Sequence, residues 1–165
     1  MTEDDDSTAV ISPCETYRYV LTRRLIKPRP VFPQRMVFLM LNPSTADAKL
    51  DDATIRRCKS FARREGRHEL VVVNLYALRS TDPAGLWSHD DPVGPDNDNA
   101  ILAAARMTRE IVCAWGVNAR KDRVAHVLAL LRAGVSLACL GTTKDGHPRH
   151  PLMLPNDAEL QSYQP

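Results

Sequence analysis

The chain has no apolar run approaching the roughly 20 residues that a membrane-spanning helix needs. Its first residues are acidic and do not follow the basic-then-apolar pattern of a secretory leader. A cytoplasmic protein with no membrane association is the expectation. None of its four cysteines, Cys14, Cys58, Cys113 and Cys139, stands in a C-x-x-C pair. Scattered in this way, they read as small core thiols in preference to metal or cluster ligands. There is no Gly-rich phosphate loop, no G-x-S-x-G elbow and no H-E-x-x-H helix, so the familiar signatures of nucleotide hydrolysis, acyl transfer and zinc proteolysis are missing. No internal repeat is visible. No cofactor is expected.

What is present suits an ordinary globule. The 165 residues are 44% hydrophobic and 25% charged, enough for one domain with a real core and too few for two. The net charge of +2 does not announce a nucleic-acid binder. Setting aside the acidic run Glu3 to Asp6 leaves a more basic body, and most of its positive charge is arginine, the side chain shaped for bidentate phosphate contacts. Residues 1–13 lack periodicity and read as a disordered acidic tail ahead of a single domain, 14–165.

Tyr17 to Ile26 alternates as a strand, antiparallel or at an edge, before Pro28, Pro30 and Pro33 break the chain. Met36 to Leu41 is a continuous apolar run, as expected of a strand covered on both faces. Asp52 is placed to cap a helix reaching about Glu65, with Gly66 as its stop. Leu70 to Leu75 is a second central strand, and a long loop follows from Arg79 to Gly94. Pro95 and Asp96 open a helix to about Met107. Glu110 to Trp115 makes a third strand, Ala119 to Arg132 a third helix, and Leu137 to Leu140 a fourth central strand. Strands and helices alternating at this spacing predict a three-layer α/β/α domain around a mainly parallel four-stranded sheet.

Two polar, Pro-stiffened blocks follow strands of that sheet: Leu41-Asn42-Pro43-Ser44-Thr45-Ala46-Asp47 and Gly146-His147-Pro148-Arg149-His150-Pro151. Ligands bind at the carboxyl ends of strands in open α/β sheets, so the two loops are expected to face one cleft. Asn42 offers a donor and an acceptor to a water or a polar ligand edge, or else closes an Asx-type turn. His147 and His150 suit proton transfer or a hydrogen bond to developing negative charge; a solvated basic loop is the rival reading, and no third metal ligand stands at a recognised spacing. Asn74 is a polar residue near the end of an apolar strand, fitted to a ligand's amide edge or to a neighbouring loop. Tyr76 could stack on a ring or simply pack in the core. Asp47, Asp51 and Asp52 could collect Mg²⁺, though helix capping explains them more cheaply. Arg56 and Arg57, near a helix start, are candidate phosphate contacts.

The order strand-Asn-Pro, strand-Asn, late strand-His-Pro resembles the uracil-DNA glycosylase superfamily. Asn42-Pro43 is similar to the latter half of that family's first motif, whose acid or amide positions the attacking water. His147-Pro148 is similar to its last motif, which supports the leaving base and presses into the duplex. Val112 to Gly116 looks like its strand-plus-Gly element. Met40 stands where the first motif has Gly, and Ser44 replaces the usual Gly or aromatic beyond Pro43. The chain is also similar to a bacterial domain-of-unknown-function family sharing the LNPSTAD, VVNLYALR and GHPRHP blocks.

The glycosylase resemblance implies the corresponding fold and a monomer that cleaves the N-glycosidic bond of a damaged or modified base in DNA, single-stranded DNA included. Asn42 would orient water, His147 would stabilise the departing base, and Pro43, Ser44, Asn74, Tyr76 and Pro148 would line the base pocket. Arg56, Arg57, Lys144, Arg149 and His150 would contact the nucleic acid. A binding protein of the same fold, and a hydrolase of a free nucleoside or nucleotide, are the other functions this pattern admits.

Overall fold

A computed structural model describes residues 7–131 and 134–165. Strands β1 (Thr8–Ile11), β2 (Arg18–Arg24), β3 (Arg35–Met40), β4 (Glu69–Asn74), β5 (Glu110–Cys113), β6 (Ser136–Cys139) and β7 (Gln161–Ser162) form one sheet in the order β1-β2-β4-β3-β5-β6-β7. The chain is therefore α/β, but among the described residues the sheet is mixed and has seven strands, not four. The four strands β4, β3, β5 and β6 run parallel, while β1, β2 and β7 add antiparallel pairs at the two sides. Two of the three additions are short and weakly patterned, which hides them from hydrophobic periodicity. Thr8–Ile11 lies inside the segment expected to be a tail. Residues 1–6 and Arg132, the expected end of the third helix, fall outside the described residues.

Helices α1 (Ala53–Arg64), α2 (Asn97–Ala105) and α3 (Lys121–Leu131) connect the parallel strands. β3 alternates between two cores. Val37, Leu39 and Leu41 join the cluster that includes Ile101 of α2 and Val127 of α3. Met36, Phe38 and Met40 join the cluster beneath Ile55, Cys58 and Phe61 of α1. Three layers follow from that parity, because successive strand side chains point to opposite faces. α1 starts where its sequence dictates: the Asp52 carboxylate accepts the Ile55 N–H at 2.9 Å. It ends at Gly66, whose φ of +65° reverses the chain at little steric cost.

The strand order places the site. The connection through α1 runs from β3 to β4 on one side of β3, and the later parallel strand β5 pairs on its other side. The C-terminal end of β3 is thus the point where strand order reverses, and a crevice opens outside the sheet at such a point. Asn42 leaves the sheet there.

β2 is interior, between β1 and β4. It carries two enclosed cations, Arg18 and Arg23, each 2% exposed. Arg23 donates to Asp51 Oδ1 at 2.7 Å and to the carbonyls of Thr22, Asp47 and Leu50. Segment 47–51 is thereby tied to the sheet just ahead of α1. Of the cysteines, Cys58, Cys113 and Cys139 are buried as expected, whereas Cys14 is exposed.

Candidate functional site

One cleft of about 820 Å³ lies over the C-terminal ends of β3 and β5 and the loop that follows β6. Its floor is apolar, with Met40, Leu41, Ile55 and Trp115. Its walls carry Arg18, Asn42, Ser44, Asp52, Ser80, Asn118, Thr143, Arg149 and His150. Val117, Leu152 and Met153, also lining it, are large apolar side chains left 59%, 50% and 72% exposed. An apolar floor with a few convergent polar groups is the usual make-up of a small-molecule site.

Asn42 lies in the wall, and its amide nitrogen is already committed. Nδ2 donates to the carbonyls of Pro43 and Ser80 at 3.0 and 2.9 Å, and approaches that of Leu78 at 3.4 Å. The residue staples the turn after β3 to the loop after β4, leaving Oδ1 as its acceptor. The turn-closing alternative describes the amide nitrogen, and the residue also lines the cleft.

The His-Pro block divides. Thr143 N–H donates to the His147 carbonyl at 2.9 Å, and Thr142 bridges Pro148 as an antiparallel partner. Gly146, at φ +81°, permits the tight reversal between them. His147 lines a separate groove with α3, Trp115 and Tyr163. His150, three residues on, lines the main cleft. Its Nδ1 accepts the Leu152 N–H at 3.2 Å, so in the neutral ring Nε2 carries the proton. Burial pushes its pKa below the ordinary imidazole value, with Asp52 opposing the shift. A neutral imidazole with a fixed tautomer is thus built into the wall.

The convergence of Asn42, Asn74 and His147 on one pocket is not found. Asn74 is 1% exposed, points to the α1 side of the sheet and forms no part of the cleft wall; among the described residues neither polar atom of its amide has a partner. Tyr76 belongs to the opposite core, edge-on to Trp87 at 5.3 Å, and its hydroxyl accepts the Arg120 N–H at 3.2 Å. Pro43 and Pro148 are buried, and their carbonyls accept from Ser80 and Gly116. Ser44 and Arg149 lie in the cleft wall.

The remaining basic candidates differ in availability. Arg57 is committed to the Leu154 carbonyl and the Asn156 side chain, and lies over the Phe61 ring at 5.0 Å. Arg56 is exposed, with Nη1 on the Asp51 carbonyl at 2.7 Å. Lys144 is exposed in the hairpin between Thr142 and Pro148. Sequence reading missed Arg18 and Trp115 as cleft residues, and took Asp52 only as a cap or metal ligand. Asn-Pro and Asp-before-helix signals mark the loops; nothing local marks an arginine whose strand end reaches the cleft only after β2 pairs with β4. Among the described residues, no group of three or more His, Cys, Asp or Glu side chains could hold a metal ion. No helix among them is long and apolar enough to cross a membrane.

Fold and cleft together define an α/β protein with a ligand-sized crevice at the switch point of its sheet. The family model described as Protein of unknown function (DUF1643) matches residues 18–152, and the chain belongs to that family. The match runs from Arg18 to Leu152, the span that encloses the cleft residues apart from Met153. Comparison with curated proteins and comparison with solved structures each give no match.

Proposed function

We propose that this cleft receives a nucleobase extruded from DNA and that the protein hydrolyses the N-glycosidic bond of a damaged or modified nucleotide. One observation carries the reading: Asn42 and Ser44 of the turn after β3 and Arg149 and His150 of the loop after β6 wall a single cleft at the switch point, with exposed Leu152 and Met153 in the same wall. An enzyme acting on a base must take it out of the stack, at a cost of a few kcal/mol. Apolar side chains exposed beside the cleft suit the place the base vacates.

The roles are reassigned from the sequence reading. His150, not His147, donates Nε2–H to the departing base as the electron pair of the C1′–N bond moves onto it. Asp52 takes a proton from the water whose oxygen bonds to C1′, and Asn42 Oδ1 orients that water. Arg149 supplies a phosphate contact in the cleft wall.

The direct test is incubation with DNAs bearing varied damaged and modified bases, followed by detection of abasic sites. Release of a base supports the reading; wild-type protein that leaves every such DNA intact overturns it. Asp52→Asn refines the test, because asparagine caps a helix about as well as aspartate. The variant should unfold within about 0.5 kcal/mol of wild type, while base release falls by roughly 10²-fold or more for loss of a general base. Unchanged turnover would remove Asp52 from the chemistry.

A further inference from the structure

Arg18 and Arg23 stand five residues apart on β2, equally enclosed, and their surroundings differ sharply. Arg23 has a carboxylate and three carbonyls. Among the described residues, the Arg18 side chain makes one hydrogen bond, Nη1 to the Ala46 carbonyl at 2.7 Å, and its Nε is enclosed without a partner. A guanidinium carries five N–H donors, and the enclosed Nε–H is one that goes unsupplied among the described residues. Burial pushes its pKa down to about 10, with Asp52 offsetting only part of the effect. Leaving a cation enclosed without an anion is costly, and the site where such a group meets a cleft is where a ligand restores the balance.

Arg18 does meet the cleft, and the first turn of α1 lies in the same wall through Asp52, Thr54 and Ile55. Asp52 caps the Ile55 N–H, but the opening N–H groups of a helix have no intrahelical acceptor. Such a terminus favours an anion. Asp52 is the one carboxylate among the lining residues, against Arg18, Arg149 and the helix end.

We propose that the cleft contains an oxyanion subsite centred on the Arg18 guanidinium and the start of α1, which takes a phosphate group of the nucleobase-bearing ligand. This rests on the reading of the cleft as a base-binding site and adds to it a second phosphate-binding element besides Arg149. The phosphate comes either from a free mononucleotide or from a nucleic-acid backbone.

Trp115 lines both the cleft and the His147 groove, so binding is measured by calorimetry and assigned to the cleft by the Arg18 variants. The full chain is titrated with the common nucleosides, their 5′-monophosphates, inorganic phosphate and short single-stranded oligonucleotides. A phosphorylated ligand is expected to bind about ten-fold or more tighter than its matched nucleoside, as a charge-assisted hydrogen bond supplies. Inorganic phosphate should compete with it. Arg18→Gln should abolish that preference and Arg18→Lys should retain part of it. A gain confined to mononucleotides assigns a free nucleotide, and a gain confined to oligonucleotides assigns the backbone.

Equal affinity for nucleoside and phosphorylated ligand, no binding of any phosphorylated probe, or a folded Arg18→Gln protein with its preference intact overturns the subsite. Phosphate competition on wild-type protein decides the matter if the variants do not fold. An Arg18-dependent phosphate preference in a protein that releases no base upholds the subsite and overturns the glycosidic reading alone.

Discussion

On the proposed reading of the cleft, replacing His150 by alanine should lower base release by about 10²- to 10³-fold, the usual cost of removing one preorganised donor to developing charge. His147→Ala should leave the rate close to wild type. The contrast is the informative part, because the two histidines occupy the same loop and only His150 lies in the cleft wall. Leu152 N–H fixes the His150 proton on Nε2, so the ring is a donor before substrate arrives. His150→Gln offers a side-chain N–H of similar reach and should recover part of the loss. Since burial depresses this pKa, the neutral donor persists below the ordinary imidazole range as pH falls. Single-turnover rates across pH should therefore show no loss of rate attributable to His150 at about 6.5, the ordinary histidine value. A larger loss from His147→Ala than from His150→Ala would reverse the assignment.

Arg23→Ala should destabilise the fold by about 3 kcal/mol, read from denaturant midpoints at unchanged slope. Its guanidinium is enclosed and supplies segment 47–51 with bonds to Asp51 and to two carbonyls, those of Asp47 and Leu50. Removing it leaves acceptors unsupplied, which costs more than the bonds contribute in net terms. The loss stays short of the upper range because Lys59 also pairs Asp51, at 2.8 Å. A change under about 1 kcal/mol, the size of an exposed pair, would show that the loop does not depend on this arginine.

The same cluster sets an acid limit. Burial alone would raise the Asp51 pKa, but hydrogen bonds from Lys59 and Arg23 and the charges of both hold it below the ordinary carboxylate value. A carboxylate depressed in the folded state stabilises above its unfolded pKa, and that contribution is lost as pH falls through the folded one. Stability should drop on acidification below about pH 4, the unfolded value of an aspartate, and Asp51→Asn should flatten that part of the profile.

Much of the fold is legible in the sequence, and the reasons are local. MVFLML and LVVVNL are apolar at every position because both faces of a central parallel strand are covered. Asp52 and Gly66 bracket α1 because an N-cap acceptor and a left-handed stop are properties of single residues. The added strands β1 and β7 were not legible, since neither presents a continuous apolar face. Their placement comes from pairing with β2 and β6.

Sequence by itself determined that Asn42 and the His-Pro loop leave parallel strands at one edge of an α/β sheet. The tertiary structure alone decided which side chains share the cleft. Three residues separate His147 from His150, and a Gly-permitted reversal with the Thr142–Pro148 bridge turns them into different cavities. Asn74 and Tyr76, two positions apart near the end of β4, enter opposite layers: the packing of α1, α2 and α3 on the two faces of the sheet makes those layers different places. Arg18 reads in sequence as one more polar residue of an alternating strand. Only the pairing of β2 with β4 and the approach of α1 enclose its charge and place the residue in the cleft wall, because burial and partnership are properties of the assembled layers and not of neighbours along the chain.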